Sequence, residues 1–542
     1  MSWNDYELQQ SLISLGFDSL MIMELKNRIL TDLGVDIPIR KLISRNTILQ
    51  LVELLVEHFS SLDQISITVN ISSLPLAPIA RSNNLPLSLN QERLWLLAKF
   101  TPNSSVYNFP VAFRLDGLLD IAALEQSIQE IVRRHEILRT TILVDNRNPV
   151  QVISDNIDFT LLVIDLQNTS ESNREIEAQR LVTEETQQSF NLTQGTLWRI
   201  KLLRLTEINH ILILTMHHII SDGWSINIIF KELTKFYEAF STGKSLSFPE
   251  LSLQYADFAA CQRQWLQSNF LKLQLDYWTQ QLNGALLPLE LPIDRPRSRS
   301  PKHQGAYKLI VLSTYLTKKI KILSEQEGVT LFMTLLSAFK SLLYYYSQQE
   351  DIIICSPIAC RNREETKQLI GYFNNIVVMR TDLSGNPSFR ELIIRVHKIA
   401  SEAYEHQELP FQIIAELPNL VRIPLSRCLF VLQNTPSHDL YLPEVKVSSL
   451  TVHNGMANFD LSLSLTEENE QIRGILDYKT DLFDEVTING ILETFQTILE
   501  NIVITPEQSL EELLSLTKAK ISHQNIAYLR SCTNQEKPLS GE

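Results

Sequence analysis

Two histidines stand side by side at His217 and His218, and an Asp-Gly pair follows at Asp222 and Gly223 within the stretch MHHIISDGWS. The chain holds 11 histidines in 542 residues, so a doublet behind an apolar run asks for a reason. Imidazole titrates near neutrality and suits proton transfer. Asp-Gly is turn chemistry, and Asp222 could cap a following helix or pair with an arginine. The plain alternative is a histidine packed at a strand end. A metal centre is disfavoured, because neighbouring strand residues do not readily ligate one ion and no third ligand is evident.

A second reactive position is Ser19, in LGFDSLMIMELKNRIL. A serine where an apolar helical pattern starts is ordinarily an N-cap. A phosphodiester at the same place would meet free backbone N–H groups and the positive end of the helix dipole. Gly34 is the expected stop of that helix.

The elements that must position these groups follow from periodicity. HILILTMHH reads as a buried strand, IISDG as a turn and WSINIIFKELTKFYEAF as a helix. Strand residues alternate faces, so only one of the two histidines can face a given cleft, and the other must pack or bond to the scaffold. DIIICSPIA and IVVMRTDL read as further strands and LVTEETQQSF as a helix, which gives α/β lobes. Residues 60–86 are rich in Ser, Asn and Pro and read as a linker. Residues 286–304, with a proline and Arg/Ser cluster, read as the connection between two lobes, and the polar stretch from Thr505 as a fraying tail. The expected division is a helical segment over 1–59, a linker over 60–85, lobes over 86–290 and 291–505, and a tail over 506–542.

Composition narrows the classes. A hydrophobic share of 44% supports packed domains. A net charge of −14 without a basic stripe argues against nucleic acid. The five cysteines, at 261, 355, 360, 428 and 532, form no short metal-type pair. The N-terminus has no signal-peptide pattern and no apolar run approaches the 18 or so residues that span a bilayer, so a soluble cytoplasmic protein without a membrane partner is expected.

The motifs carry a family resemblance. GFDSL resembles the attachment motif of acyl and peptidyl carrier proteins, and the agreement runs over about Gln10–His58. DSLMIMELKNRI and LGVDIPIRKLI are more similar to polyketide-type carriers. The resemblance implies 4′-phosphopantetheine on Ser19, added by a phosphopantetheinyl transferase. Only 18 residues precede Ser19, so a partial helical bundle is expected.

HHxxxDG resembles the active-site motif of nonribosomal peptide synthetase condensation domains. LSLNQERLWLL, RRHEILRTTI, QYADFAACQRQW, IGYFNNIVVMR, HQELPFQ and FVLQN resemble the companion motifs, in family order over about Pro86–Val503, with Cys261 in place of a tryptophan. The implied fold is a V-shaped pair of chloramphenicol-acetyltransferase-like α/β lobes behind a small all-α carrier. The implied reaction joins a carrier-bound acyl thioester to an amine. His218 would then act as base or positioner, His217 as scaffold and Gly223 near an oxyanion. Asp222 would order the loop by pairing with an arginine, for which Arg361 is the candidate. Several companions have bland readings as well: Arg133, Arg134 and Glu136 as a solvated helix face, Tyr255 and Phe258 as core, Asn375 as a turn residue.

Implied partners are an upstream polyketide or peptide synthase module and a downstream carrier or free amine. Other readings are ester formation or a trans-acting reaction with a free acceptor, and a non-catalytic docking module. An epimerisation domain would carry an acidic EGHGRE-type segment that this chain lacks, and a heterocyclisation domain would replace the histidines with aspartates.

Overall fold

The computed structural model describes residues 8–43, 46–60, 76–82, 84–156, 159–245, 248–267, 269–284, 287–298, 303–417, 420, 425, 427–434 and 440–521. Among them the chain forms a helical N-terminal region followed by two sheet-containing lobes, a mixed α/β architecture.

The N-terminal region contains helices Ser19–Leu33, Ile39–Leu42 and Ile48–Ser60. Asp18, and not Ser19, caps the first: its carboxylate accepts from the Met21 N–H at 2.8 Å. Gly34 closes that helix in the left-handed conformation, φ 70°, which a side chain disfavours. Ahead of Ser19, residues 12–16 form turns rather than a helix, yet Leu12 and Ile13 are buried against the bundle.

The first lobe is built on a five-stranded sheet ordered Val445–Leu450, Asn108–Gly117, Asn209–His217, Trp198–Arg204 and Leu162–Asp165. Asn209–His217 is its central strand and is covered on both faces, which explains the unbroken apolar run. Leu212, Leu214 and Met216 pack with Ile128, Ile131, Ile229 and Leu233. Ile211 and Ile213 pack on the other side with Ala178 and Val182.

The second lobe holds a six-stranded sheet, ordered Asn375–Asp382, Asp351–Ile358, Cys428–Gln433, Leu461–Glu468, Gln471–Lys479 and Gly305–Val311. Helices Thr314–Glu327, Leu331–Ser347, Phe389–Glu405 and Glu485–Ile502 supply its core. Lys340 is fully buried there and donates to the carbonyls of Met379 at 2.7 Å and Ile352 at 3.3 Å; burial pushes its pKa down to about 7.

Three expectations change. The lobes are not divided cleanly at residue 290, because strand Val445–Leu450 crosses back and pairs antiparallel with Asn108–Gly117. Gly117 makes that crossing possible: a Cβ there would lie 2.2 Å from the Glu444 carbonyl. The segment after Thr505 does not fray at once, since residues 510–521 are helical and bury Leu510, Leu513 and Leu514; 522–542 lie outside the described residues. The expected linker falls partly outside as well, at 61–75 and 83, but 76–82 is packed down. Within it, the Ile79 N–H donates to Asp257, and Arg81 pairs with Asp257 and Glu136.

Candidate active site

The central strand ends at His217, and His218 opens a single 3-10 turn, His218–Ile220. The two rings are therefore separated by a change of backbone course and not by strand alternation. His217 is buried: its Nδ1 accepts from the Ile219 N–H at 3.1 Å, and its ring lies against Tyr107 and Phe190. Desolvation pushes its pKa down to about 3.

His218 instead lines a cavity of about 740 Å³ between the lobes. Its ring stacks on Phe109 at 4.9 Å and tilts against Tyr372 at 6.1 Å. Nδ1 lies 3.3 Å from the Ser221 carbonyl, which can only accept, so Nδ1 carries the proton. Nε2 is then left with a free lone pair. Burial holds the His218 pKa below the ordinary histidine value, against the opposing pull of the Ser221 carbonyl and Asp222. The ring is thus a neutral base at physiological pH.

Asp222 is fully buried and does both of the things open to it. Oδ1 caps helix Gly223–Thr242, accepting from the Ser225 N–H at 2.8 Å and Ser225 Oγ at 2.7 Å. Arg361 Nη2 donates to Oδ1 at 3.0 Å and Oδ2 at 3.3 Å, and the Phe373 N–H donates to Oδ2 at 3.1 Å. Arg361 is itself fixed, donating through Nη1 to the carbonyls of Thr366 and Leu369 at 2.6 Å each. One carboxylate thus ties the loop that carries His218 to the opposite lobe. Ser225 Oγ, its proton on Asp222, adds to the tie by accepting from the Gly371 N–H at 3.0 Å.

Gly223 lines the cavity, and a Cβ there would meet nothing within 4 Å. The companion residues support the walls. Tyr255 is buried, shares a hydrogen bond of 2.8 Å with Ser88 Oγ and donates to the Tyr372 carbonyl at 2.7 Å. Phe258 packs on Phe373. Asn375 is a clamp rather than a turn residue: Nδ2 donates to the carbonyls of Gln407 and Leu409, and Oδ1 accepts from the Phe411 N–H. Arg133 is partly solvated and pairs with Glu130 and Glu250. Arg134, by contrast, is buried beside Glu232, and Glu136 bonds Arg81.

Ser19 lines the same cavity as His218, although 199 positions separate them. The helical region is seated on the second lobe. Ser19 Oγ donates to Thr330 Oγ1 at 3.0 Å and the residue is only 7% exposed. The Ile39 N–H donates to Glu405 at 2.8 Å, Lys367 pairs with Glu24, and Gln407 reaches the Met23 sulfur. The residues fit a phosphopantetheine group: the serine stands at the start of a helix and lines the cavity that His218 also lines. Phe109, Thr330, Glu405 and Lys367 had no sequence signal beyond ordinary core or surface positions, whereas Tyr372 lies inside the companion motif IGYFNNIVVMR.

Residues 81–523 match the family described as Condensation domain, and residues 4–55 match the phosphopantetheine attachment site. The chain belongs to the condensation-domain family of nonribosomal peptide synthetases, and a carrier domain for covalent phosphopantetheine precedes it. It is 42% identical over 505 residues to one of the linear gramicidin synthase subunits of Brevibacillus parabrevis, a match that covers 92% of this chain and 6% of that protein. It thus spans a small fraction of such relatives' length. The X-domain from teicoplanin biosynthesis shares the fold at a TM-score of 0.72 and 28% identity, covering 81% of this chain and 99% of that one. The first condensation domain of the calcium-dependent antibiotic synthetase, solved with a substrate analogue, matches at a TM-score of 0.67 and 19% identity over 80% of this chain and 99% of that one.

His217 yields a prediction of its own. Its depressed pKa means that the unfolded chain binds a proton that the folded one refuses. Stability contributed by the neutral ring is present above the ordinary histidine pKa of about 6.5 and is lost progressively as pH falls from there towards about 3. His217→Ala should lower the melting temperature at neutral pH and flatten this acid slope, as read by thermal unfolding between pH 4 and 8.

Proposed function

We propose that this chain forms an amide bond between an acyl group carried on its own N-terminal carrier and an amine acceptor delivered to the opposite side of the cavity. The observation that carries this reading is that Ser19 and His218 line one continuous cavity. Phosphopantetheine on Ser19 would supply an acyl group already activated as a thioester. The chain's residues supply the rest. The seat formed by Thr330, Glu405, Lys367 and Gln407 orients the carrier. Alignment of reacting groups contributes roughly 7–11 kcal/mol in favourable cases. His218 Nε2 accepts the proton that the attacking amine must lose. The Asp222–Arg361 pair holds the loop so that this nitrogen keeps its aim.

An alcohol acceptor would use the same base, so ester formation remains inside this reading. The upstream partner is a polyketide or peptide module, the acceptor arrives on a downstream carrier or free, and a phosphopantetheinyl transferase primes Ser19. Incubation with a broad transferase and acyl-coenzyme A should add one acyl-phosphopantetheine mass to the intact protein and none to Ser19→Ala. Adding amine acceptors should then return the carrier to its thiol mass while amide product appears. Absence of the adduct on a folded protein, or a loaded protein inert to every amine and alcohol offered, would overturn the reading.

A further inference from the structure

Asp477 is the one carboxylate among the described residues that line the cavity. It lies on strand Gln471–Lys479, far from the carrier seat. In the sheet, Asp477 pairs with Ser462, which pairs with Leu429, while the carrier end is marked by Gln433 and by Asn434 beside the Asp18 carboxyl. Four residues and two strands separate Asp477 from Gln433, roughly 13 Å along the strands and about 10 Å across them. A group reaching Asp477 thus comes to the end of the cavity opposite Ser19.

The carboxylate is held ready. His453 Nε2 lies 3.1 Å from Asp477 Oδ1, and His453 Nδ1 accepts from the Gly455 N–H at 2.9 Å. A nitrogen that accepts carries no proton, so the ring is neutral and its Nε2–H donates to Asp477. The pair therefore keeps a net negative charge instead of forming a closed ion pair. The loop that presents His453 is pinned. Asn454 Nδ2 donates to the carbonyls of Ser105 and Asn108 at 3.0 Å, and the Gly305 N–H donates to the Gly455 carbonyl at 2.9 Å. Gly455 sits at φ 74°, where a side chain would be strained. Tyr307 packs against the His453 ring at 5.1 Å.

Nearby cations are engaged elsewhere. Lys479, two residues on and so on the same face, donates to Asp460, which also pairs with Arg297. Arg361 is bound to Asp222, and Arg93 lies over the Phe411 ring. Ile475 and Met456 line the cavity beside the carboxylate and suit an aliphatic stem. Resting on the condensation reading, we infer that Asp477, oriented by His453, recognises an ammonium or guanidinium side chain on the acceptor.

The test uses the N-acetylcysteamine thioesters of lysine and of norleucine, its uncharged counterpart. Affinity is measured on the full chain carrying His218→Ala, so that binding does not depend on turnover. The lysyl thioester should bind about 10- to 100-fold more tightly than the norleucyl one, the scale of a charge-assisted hydrogen bond. Asp477→Asn, which changes one atom and keeps the His453 contact, should bring that ratio close to one. An equal affinity for both thioesters, or a preference that survives Asp477→Asn, would overturn the assignment. A donor arm compares 6-aminohexanoyl with hexanoyl groups loaded on Ser19; a charge preference that appears there and depends on Asp477, with none for the acceptor, would also overturn it. A lysyl preference that depends on Asp477, in a parent protein that never makes product, would instead keep the subsite and remove the condensation reading.

Discussion

Replacing His218 with alanine should leave the chain folded and slow product formation by about 10²–10⁴-fold, the range for a lost general base. The ring is only part-buried and makes one weak hydrogen bond through Nδ1, so its removal opens space into an existing cavity and not into packed core. Its chemical loss is larger. Nδ1 is occupied by the Ser221 carbonyl, so Nε2 is the atom left to accept a proton. Because burial lowers the His218 pKa, the neutral form persists to lower pH than for an ordinary histidine. Turnover of the parent should therefore hold through neutrality and fall only below the usual histidine range, while the residual activity of the variant should rise with the fraction of free amine. A loss under tenfold, with an unchanged pH profile, would assign His218 to positioning alone. An unfolded variant would show that the ring is structural.

Asp222→Ala should cost about 3–5 kcal/mol, the scale for removing one member of a buried pair. The carboxylate accepts from the Ser225 N–H, Ser225 Oγ, the Phe373 N–H and Arg361, and alanine orphans them all at a site without solvent. Arg361 suffers most. Its guanidinium is fully buried over the Phe373 ring at 4.1 Å, and desolvation already pushes its pKa down, with Asp222 opposing. Pairing Asp222→Ala with Arg361→Met should recover part of the loss, because the uncompensated charge is gone. Thermal unfolding of the parent, both single variants and the double variant checks this. Additive losses, or an Asp222→Ala protein that melts like the parent, would show that the pair does not bear the load assigned to it.

Much of this site was legible in the chain because its chemistry is local. The strand, turn and helix around MHHIISDGWS follow from periodicity and turn residues, and Asp222 announces itself as a cap. What stayed hidden is what distant segments do to each other. Nothing in the sequence says that Phe109 and Tyr372, the latter inside IGYFNNIVVMR, meet, yet both pack on the His218 ring. The residues that seat the carrier, Thr330, Glu405 and Lys367, look like any polar surface until a second surface meets them. Asn375 falls in a companion motif, but its clamp is invisible there, because an amide that binds three backbone groups has no periodic signature. The return of Val445–Leu450 to the first lobe was also invisible, since an edge strand's partner is chosen by the whole topology.

The hydrogen bond between Ser19 and Thr330 has a consequence for timing. The Ser19 hydroxyl, which on the proposed reading a priming enzyme must grasp, is turned inward and is nearly out of reach. A carrier without its arm can thus occupy the berth reserved for a charged one, and each such molecule is a stalled station and not merely an idle one. Priming belongs to the interval when the carrier is away from the berth. On the proposed reading, the pace of successive turnovers then depends on how briefly the carrier stays, so loose, polar contacts serve it better than a tight seal.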